Sequence, residues 1–369
     1  MAERRIENPI INSPFDAPTR HFRFDDEGIT DEVVDGRRPS AYFMPIPASK
    51  RRGGKQQEIV FDEWTRDRLK ETDFVNQLRE RVDVWRQLGY PHVTGTTRRL
   101  LEHWMAPDRE RKLFFAQVEA LETLIFLAEA AGKEPQGAYF TNELRRFSDD
   151  ANPGLFRMAT KMATGTGKTV VMAMIIAWQT LNKAANPQDG RFGGAFLVVC
   201  PGITIRDRLR VLQPSDADNY YRERDLVPPE LKDSLGRAKV VIVNFHQLRL
   251  KTKLQAPKVS KAVLGKKAET AGVFTETPDQ MARRVCRPFG SKRNVIVLND
   301  EAHHCYRRRP AGAVEPDDGA ATFVEDLKGD DKKEAAQREE DARVWASGLE
   351  AINAKVGIRA VHDLSATPF

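Results

Sequence analysis

ATGTGKT at residues 163–169, continued by VVMAMIIAW at 170–178, decides the fold. Gly165 and Gly167 let the backbone turn tightly, so that consecutive N–H groups point at phosphate oxygens, and the helix that follows adds the positive end of its dipole. On this reading Thr164, Gly165, Thr166 and Gly167 form a phosphate cradle. Lys168 neutralises the β and γ phosphates of ATP, and Thr169 holds Mg²⁺ through its hydroxyl. The general P-loop pattern has a glycine where this chain has Met162, so the match is to the narrower TGxGKT form. A Gly/Thr-rich turn before a helix is the plain alternative, and the apolar helix expected to run to about Asn182 argues against it. That apolar run is too short to cross a bilayer.

Four stretches downstream have the character of buried strands: AFLVVCPG at 195–202, AKVVIVNFHQL at 238–248, RNVIVLNDEAHH at 293–304 and IRAVHDLSATPF at 358–369. Continuous β-branched runs that end in polar residues or glycine, with helical stretches between them, predict an α/β domain with a mostly parallel sheet flanked by helices. Functional residues then belong at the carboxyl ends of the strands.

Two segments interrupt the repeat. Residues 251–290 are rich in lysine, with a helical patch near Pro278–Val285. Residues 306–345 are highly charged and predict an exposed loop leading into a surface helix. Upstream, residues 1–60 are rich in Pro, Asp and Arg and predict an extended arm with a few short strands, such as Ala41–Ile46. Residues 61–150 turn helical, with Phe74, Leu78, Val82 and Trp85 on one face and an apolar stripe that closes at Gly132. The domain division is therefore 1–60, 61–150 and 151–369.

DEAH at 300–303 follows the run VIVLN. Asp300 is placed to bind Mg²⁺ directly or through water. Glu301 is placed to orient and activate an attacking water, which needs a carboxylate beside the metal but not on it. His303 is a candidate to pass nucleotide state to a neighbouring domain. Ser365 and Thr367 of the SAT triplet offer hydroxyls that link the metal site to a moving part. An acidic strand end or an ordinary hydroxyl turn explains each piece alone, but the ordered set is harder to explain so.

Composition narrows the partners only weakly. Lysine plus arginine number 59 against 53 acidic residues, a net charge of +6, which favours a polyanion without placing the charge anywhere. Three widely spaced cysteines, Cys200, Cys286 and Cys305, form no CxxC pair, so a zinc site or a disulfide framework is not expected and a reducing, cytoplasmic setting fits. The opening MAERRIENPI has no apolar segment of signal-peptide type, and no membrane partner is expected.

The ordered motifs resemble those of the superfamily 2 helicases and translocases, whose core is a RecA-like P-loop NTPase domain. ATGTGKT is similar to motif I, VVCPGITIRDR at 198–208 to motif Ia, VIVNFHQL at 241–248 to motif Ib, DEAH to motif II and SATPF to motif III. The resemblance implies backbone contacts to a nucleic-acid strand at Pro201, Gly202, Arg206, Arg208, Phe245 and His246, contacts that position rather than specify. The lysines from Lys251 to Lys267 are a candidate extension of that track. The resemblance also implies a Q-like motif in RKLFFAQVEAL at 111–121, with Gln117 reading the adenine edge; a structural glutamine on an amphipathic helix is the competing reading.

More narrowly, NSPFDAPTRHF at 12–22, the DEAHH form with His304, and FHQLRLK with its long insert before motif II resemble the Res subunit of type III restriction enzymes. That resemblance implies an ATP-dependent motor on duplex DNA. It also implies a second RecA-like domain and a nuclease domain beyond Phe369, and a methyltransferase or other specificity subunit as partner. A stand-alone DNA or RNA helicase without nuclease is the first alternative. A nucleotide-gated nucleic-acid-binding module without catalysis is the second, and Lys168 with Glu301 argues against it.

Overall fold

The computed structural model describes residues 8–25, 28–43, 69–251, 275–305 and 330–366. Single-turn helices aside, the elements begin with β1 (Arg20–Asp25), β2 (Gly28–Asp35), β3 (Ala41–Phe43), β4 (Leu69–Glu71), α1 (Asp73–Gln87), α2 (Gly95–Met105), α3 (Phe115–Ile125) and α4 (Gly137–Ala151). They continue with β5 (Arg157–Lys161), α5 (Lys168–Ala185), β6 (Ala195–Cys200), α6 (Ile203–Arg208), β7 (Lys239–Asn244), α7 (Pro278–Cys286), β8 (Val295–Asp300), α8 (Asp330–Val356) and β9 (Ile358–Ser365). The chain divides into two compact units. One is drawn from Met1–Val93, Asp108–Phe140 and Arg309–Ala335, the other from Thr94–Pro107, Thr141–Arg308 and Ala336–Phe369.

In the first unit, β1 and β2 form an antiparallel pair, in the stretch where the sequence predicts an extended arm with a few short strands. Only Ala41–Phe43 of the expected strand 41–46 is described, and it pairs with β4. Helix α1 buries Leu78, Val82 and Trp85 on one face, as the i, i+4, i+7 spacing requires. The stripe after Phe115 changes pitch: α3 gives way to a π turn over Phe126–Ala130 and a 3₁₀ turn over Ala131–Lys133. Glu122 on α3 is fully buried. It accepts two bonds from Arg86, at 2.9 and 2.6 Å, and one from the Tyr90 hydroxyl at 2.6 Å, which offsets the cost of burying its charge. The arm docks on the same helix, where the Phe115 N–H donates to the Pro14 carbonyl at 2.9 Å and Arg37 makes a forked pair with Glu119.

The second unit is built on a five-stranded sheet of order β5–β9–β8–β6–β7, parallel at every pairing. Strands β6 and β8 lie inside it and are buried along their whole length, which is why they read as unbroken apolar runs. Strand β5 is an edge strand with an alternating burial pattern; RMATK lacks the β-branched run by which the other four strands were recognised. Helix α5 buries every residue from Val170 to Asn182. It is clamped by α2, whose Thr97 hydroxyl accepts from Trp178 Nε1 at 3.2 Å and from Asn182 Nδ2 at 2.9 Å.

The charged stretch before β9 corrects one expectation. Helix α8 is not confined to the surface, because Ala342, Trp345, Leu349 and Ile352 bury one face of it, and Trp345, Leu349 and Ile352 join the core cluster that also holds residues of the sheet. The helical patch near Pro278 is α7, opened by Thr277, whose hydroxyl accepts from the Gln280 N–H at 3.3 Å. Most of the lysine-rich insert and the start of the acidic one lie outside the described residues. No helix among the described residues is long and apolar enough to cross a membrane.

Candidate nucleotide-hydrolysis site

The P-loop leaves β5 and turns into α5. Gly165 and Gly167 have φ of +83° and +84°, backbone that favours glycine, and the turn closes with the Thr166 hydroxyl donating to the Ala163 carbonyl at 2.6 Å. Gly167 is the N-cap of α5. The first N–H groups of any helix lack partners inside it, so the segment Thr164–Thr169 presents amide donors and the positive helix end at one point.

Strand β8 delivers the carboxylates to the same place. Lys168 Nζ stands 3.2 Å from Glu301 Oε1. Asp300, 8% exposed, ends the strand; burial pushes its carboxyl up to about 6, the Glu301 carboxylate adds to the rise, and Lys168 opposes it. Glu301 takes φ of +49°, a left-handed backbone rare for a residue with a side chain. The chain then enters a 3₁₀ turn, Ala302–Cys305. Strand β9 completes the cluster. Buried Ser365 shares a 2.8 Å hydrogen bond between its Oγ and His303 Nδ1, His303 Nδ1 is 3.6 Å from Glu301 Oε2, and the Ser365 carbonyl accepts from the Met162 N–H at 2.9 Å. Residues far apart in sequence at 162–169, 300–303 and 365 thus meet at the carboxyl ends of three adjacent strands.

A buried polar network lies beneath them. Arg157 on β5 donates from Nε to Asp363 Oδ2 at 2.9 Å and from Nη2 to Cys305 Sγ at 2.8 Å. Asn299 donates to Asp363 Oδ1 at 2.6 Å and accepts from Trp345 Nε1 at 3.1 Å. None of these residues was singled out for such a role from the sequence. The contacts join residues up to 206 positions apart, and no local pattern announces them.

The remaining candidates fall in several places. Pro201 and Gly202 follow β6, and Arg206 and Arg208 lie on α6, where Arg206 pairs with Asp207 at 2.9 Å. His246 is exposed. Phe245 is a correction: it is 4% exposed, with its ring stacked on Trp345 and against His246, so it packs the core rather than offering a ring to nucleic acid. Gln117 belongs to the first unit, and its Oε1 accepts from the Phe114 N–H at 3.0 Å, which caps its own helix. Thr367 lies outside the described residues, as do the lysines of the 251–267 track after Lys251.

A family model for the type III restriction enzyme, res subunit, matches residues 111–322. The chain belongs to that family. No curated protein and no solved structure matches it. As a res-subunit family member it carries a helicase-like ATPase motor region of ATP-hydrolysing type, and the family acts with ATP and Mg²⁺ on DNA within a restriction enzyme. The match spans the P-loop and the DEAH turn; α8 and Ser365 lie beyond it.

The residues present fit Mg²⁺ with a nucleotide. Among the described residues no group of three or more His, Cys, Asp or Glu is placed to hold a metal alone, and magnesium bound through one or two carboxylates plus phosphate oxygens needs none. Buried Asp300, whose carboxyl holds its proton up to about pH 6, is a group that a nearby cation would ionise.

Proposed function

We propose that this chain is the ATP-binding part of a DNA translocase or helicase motor in a type III-like restriction endonuclease. The observation that supports this most is the meeting of Lys168 with Glu301, beside Asp300 and the His303–Ser365 bond, at the mouth of the phosphate-cradling loop. Lys168 and the loop amides bind and orient the β and γ phosphates. Asp300 and Thr169 are the groups that would hold Mg²⁺, which when bound supplies positive charge at the phosphate oxygens. Glu301 orients the attacking water and accepts its proton. As phosphate enters, Lys168 gives up its contact with Glu301, so nucleotide binding releases the base for its task. His303 and Ser365 carry the change from the DEAH turn to β9.

Pro201, Gly202, Arg206, Arg208 and His246 are the proposed contacts to the backbone of duplex DNA. Hydrolysis calls for a second RecA-like domain to close over the nucleotide, and cleavage for a nuclease domain, both in the full-length protein. A methyltransferase or specificity subunit is the proposed partner, in the cytoplasm.

ATP turnover by the full-length protein on linear duplex DNA, with RNA as the control, tests the reading. Duplex-stimulated turnover that falls by roughly 10²–10⁴-fold in Glu301→Gln is the expected result, the range typical for loss of a positioned acid or base. Stimulation by RNA alone would favour a helicase without nuclease, and no turnover with either would favour a binding module.

A further inference from the structure

Helix α8 lies outside the span matched by the family model, and what it touches defines its role. Three of its residues grip the turn that follows β7. Asp341 pairs with Arg249 at 2.7 Å. The Trp345 ring stacks on Phe245, 5.5 Å between centroids and 3° from parallel. A Cβ added to Gly348 would stand 2.7 Å from the Leu248 Cβ, so only a glycine lets the helix come this close. Positions 341, 345 and 348 share one helix face, and the three contacts form a single docking edge.

Trp345 also reaches the other way. Its Nε1 donates to Asn299 Oδ1 at 3.1 Å, and Asn299 immediately precedes Asp300. Chemistry fixes the orientation of that amide: an indole N–H only donates and a carboxylate only accepts, so Oδ1 must face Trp345 and Nδ2 must face Asp363. Asp363 is held in turn by Arg157. Trp345, Asn299 and Asp363 are fully buried, in surroundings where hydrogen bonds strengthen one another and an unpaired group is costly. The indole thus joins the strand end that carries Asp300 and Glu301 to the turn that carries His246, by one hydrogen bond and one ring stack.

We infer that Trp345 is a positioning residue that couples the nucleotide site to the duplex-contacting turn at His246, so that a ligand at one changes the affinity at the other. The inference rests on the function proposed above. A residue that only fills the core would affect folding and every activity together. A coupling residue affects the linkage between sites, and linkage is reciprocal in affinities.

The test uses the full-length protein and two variants. Trp345→Phe keeps an aromatic ring against Phe245 and removes the N–H. Gly348→Ala leaves that bond in place and pushes on Leu248 at the other end of the edge. Duplex affinity is measured with and without a non-hydrolysable ATP analogue, analogue affinity with and without duplex, and turnover with and without duplex.

The expected result for both variants is unchanged unstimulated turnover, with the mutual effect of analogue and duplex on each other's affinity reduced by about fivefold or more, equally in both directions. Duplex stimulation of turnover falls with it. Coupling that matches the wild type in both variants overturns the inference while the proposed function stands. So does a parallel loss of unstimulated and stimulated turnover in both. If Trp345→Phe does not fold, Gly348→Ala decides alone. A wild-type protein with no turnover on any nucleic acid overturns the proposed function and this inference with it.

Discussion

The sheet of the second unit has two halves built on different principles. Strands β6 and β8 are apolar from end to end until Asn299 and Asp300. On the far side of β8, β9 and then β5 bury His362, Asp363, Ser365 and Arg157 in the same sheet. The apolar half gains stability from area removed from water and asks little of geometry. The polar half depends on donors and acceptors meeting, since buried charge is tolerated only when paired and hydrogen-bonded. The candidate site residues stand where the two halves join, with Asp300 ending an apolar strand and Ser365 a polar one. Rigidity from one side and directional bonding from the other hold them in place.

The largest stability effect that should separate the halves is at Asp363. Asp363→Asn leaves the Arg157 guanidinium buried without its counter-charge, and we expect a loss of about 3–5 kcal/mol in urea unfolding. A loss under 1 kcal/mol would mean that the polar half is held by packing after all. Leu197→Ala in β6 removes a fully buried side chain and is expected to cost about 2–5 kcal/mol by the same measurement, according to how far the site collapses. That loss should not change with pH.

The third effect lies at the junction. The folded protein holds the Asp300 proton up to about pH 6, against 3.8 for a free aspartate. Between those values the folded state binds a proton that the unfolded chain has released, so stability falls as pH rises through this window and levels off above it. At about 1.4 kcal/mol per unit, the difference between wild type and Asp300→Asn should change by roughly 3 kcal/mol across the window. Parallel pH curves for the two proteins would remove Asp300 from the account.

The same contrast explains what could be read from the sequence. Strands β6 and β8 were legible because inner strands of a parallel sheet are continuous apolar runs, and the candidate site could be marked out because ATGTGKT and DEAH are short, ordered motifs set against a helix start and a strand end. Strand β5 went unread because an edge strand with Arg157 and Lys161 alternates. The apolar face of α8 is diluted by charges on its other sides, so Trp345 passed as part of a surface segment. Phe245 was misread because an aromatic residue at a strand end suits both a core and a nucleic-acid contact, and only its stacking on Trp345 decides between them. The Arg157–Asp363–Asn299 network had no local signature at all, since its members meet only after the sheet has formed.

The left-handed backbone at Glu301 has a consequence of another kind. A side chain in that conformation costs roughly 1–2 kcal/mol, a cost that glycine would not bear. On the proposed reading, selection for heat resistance alone would let this position drift away from glutamate, while selection for turnover would hold it there. Glu301 is then a place where durability and speed make opposing demands on a single residue.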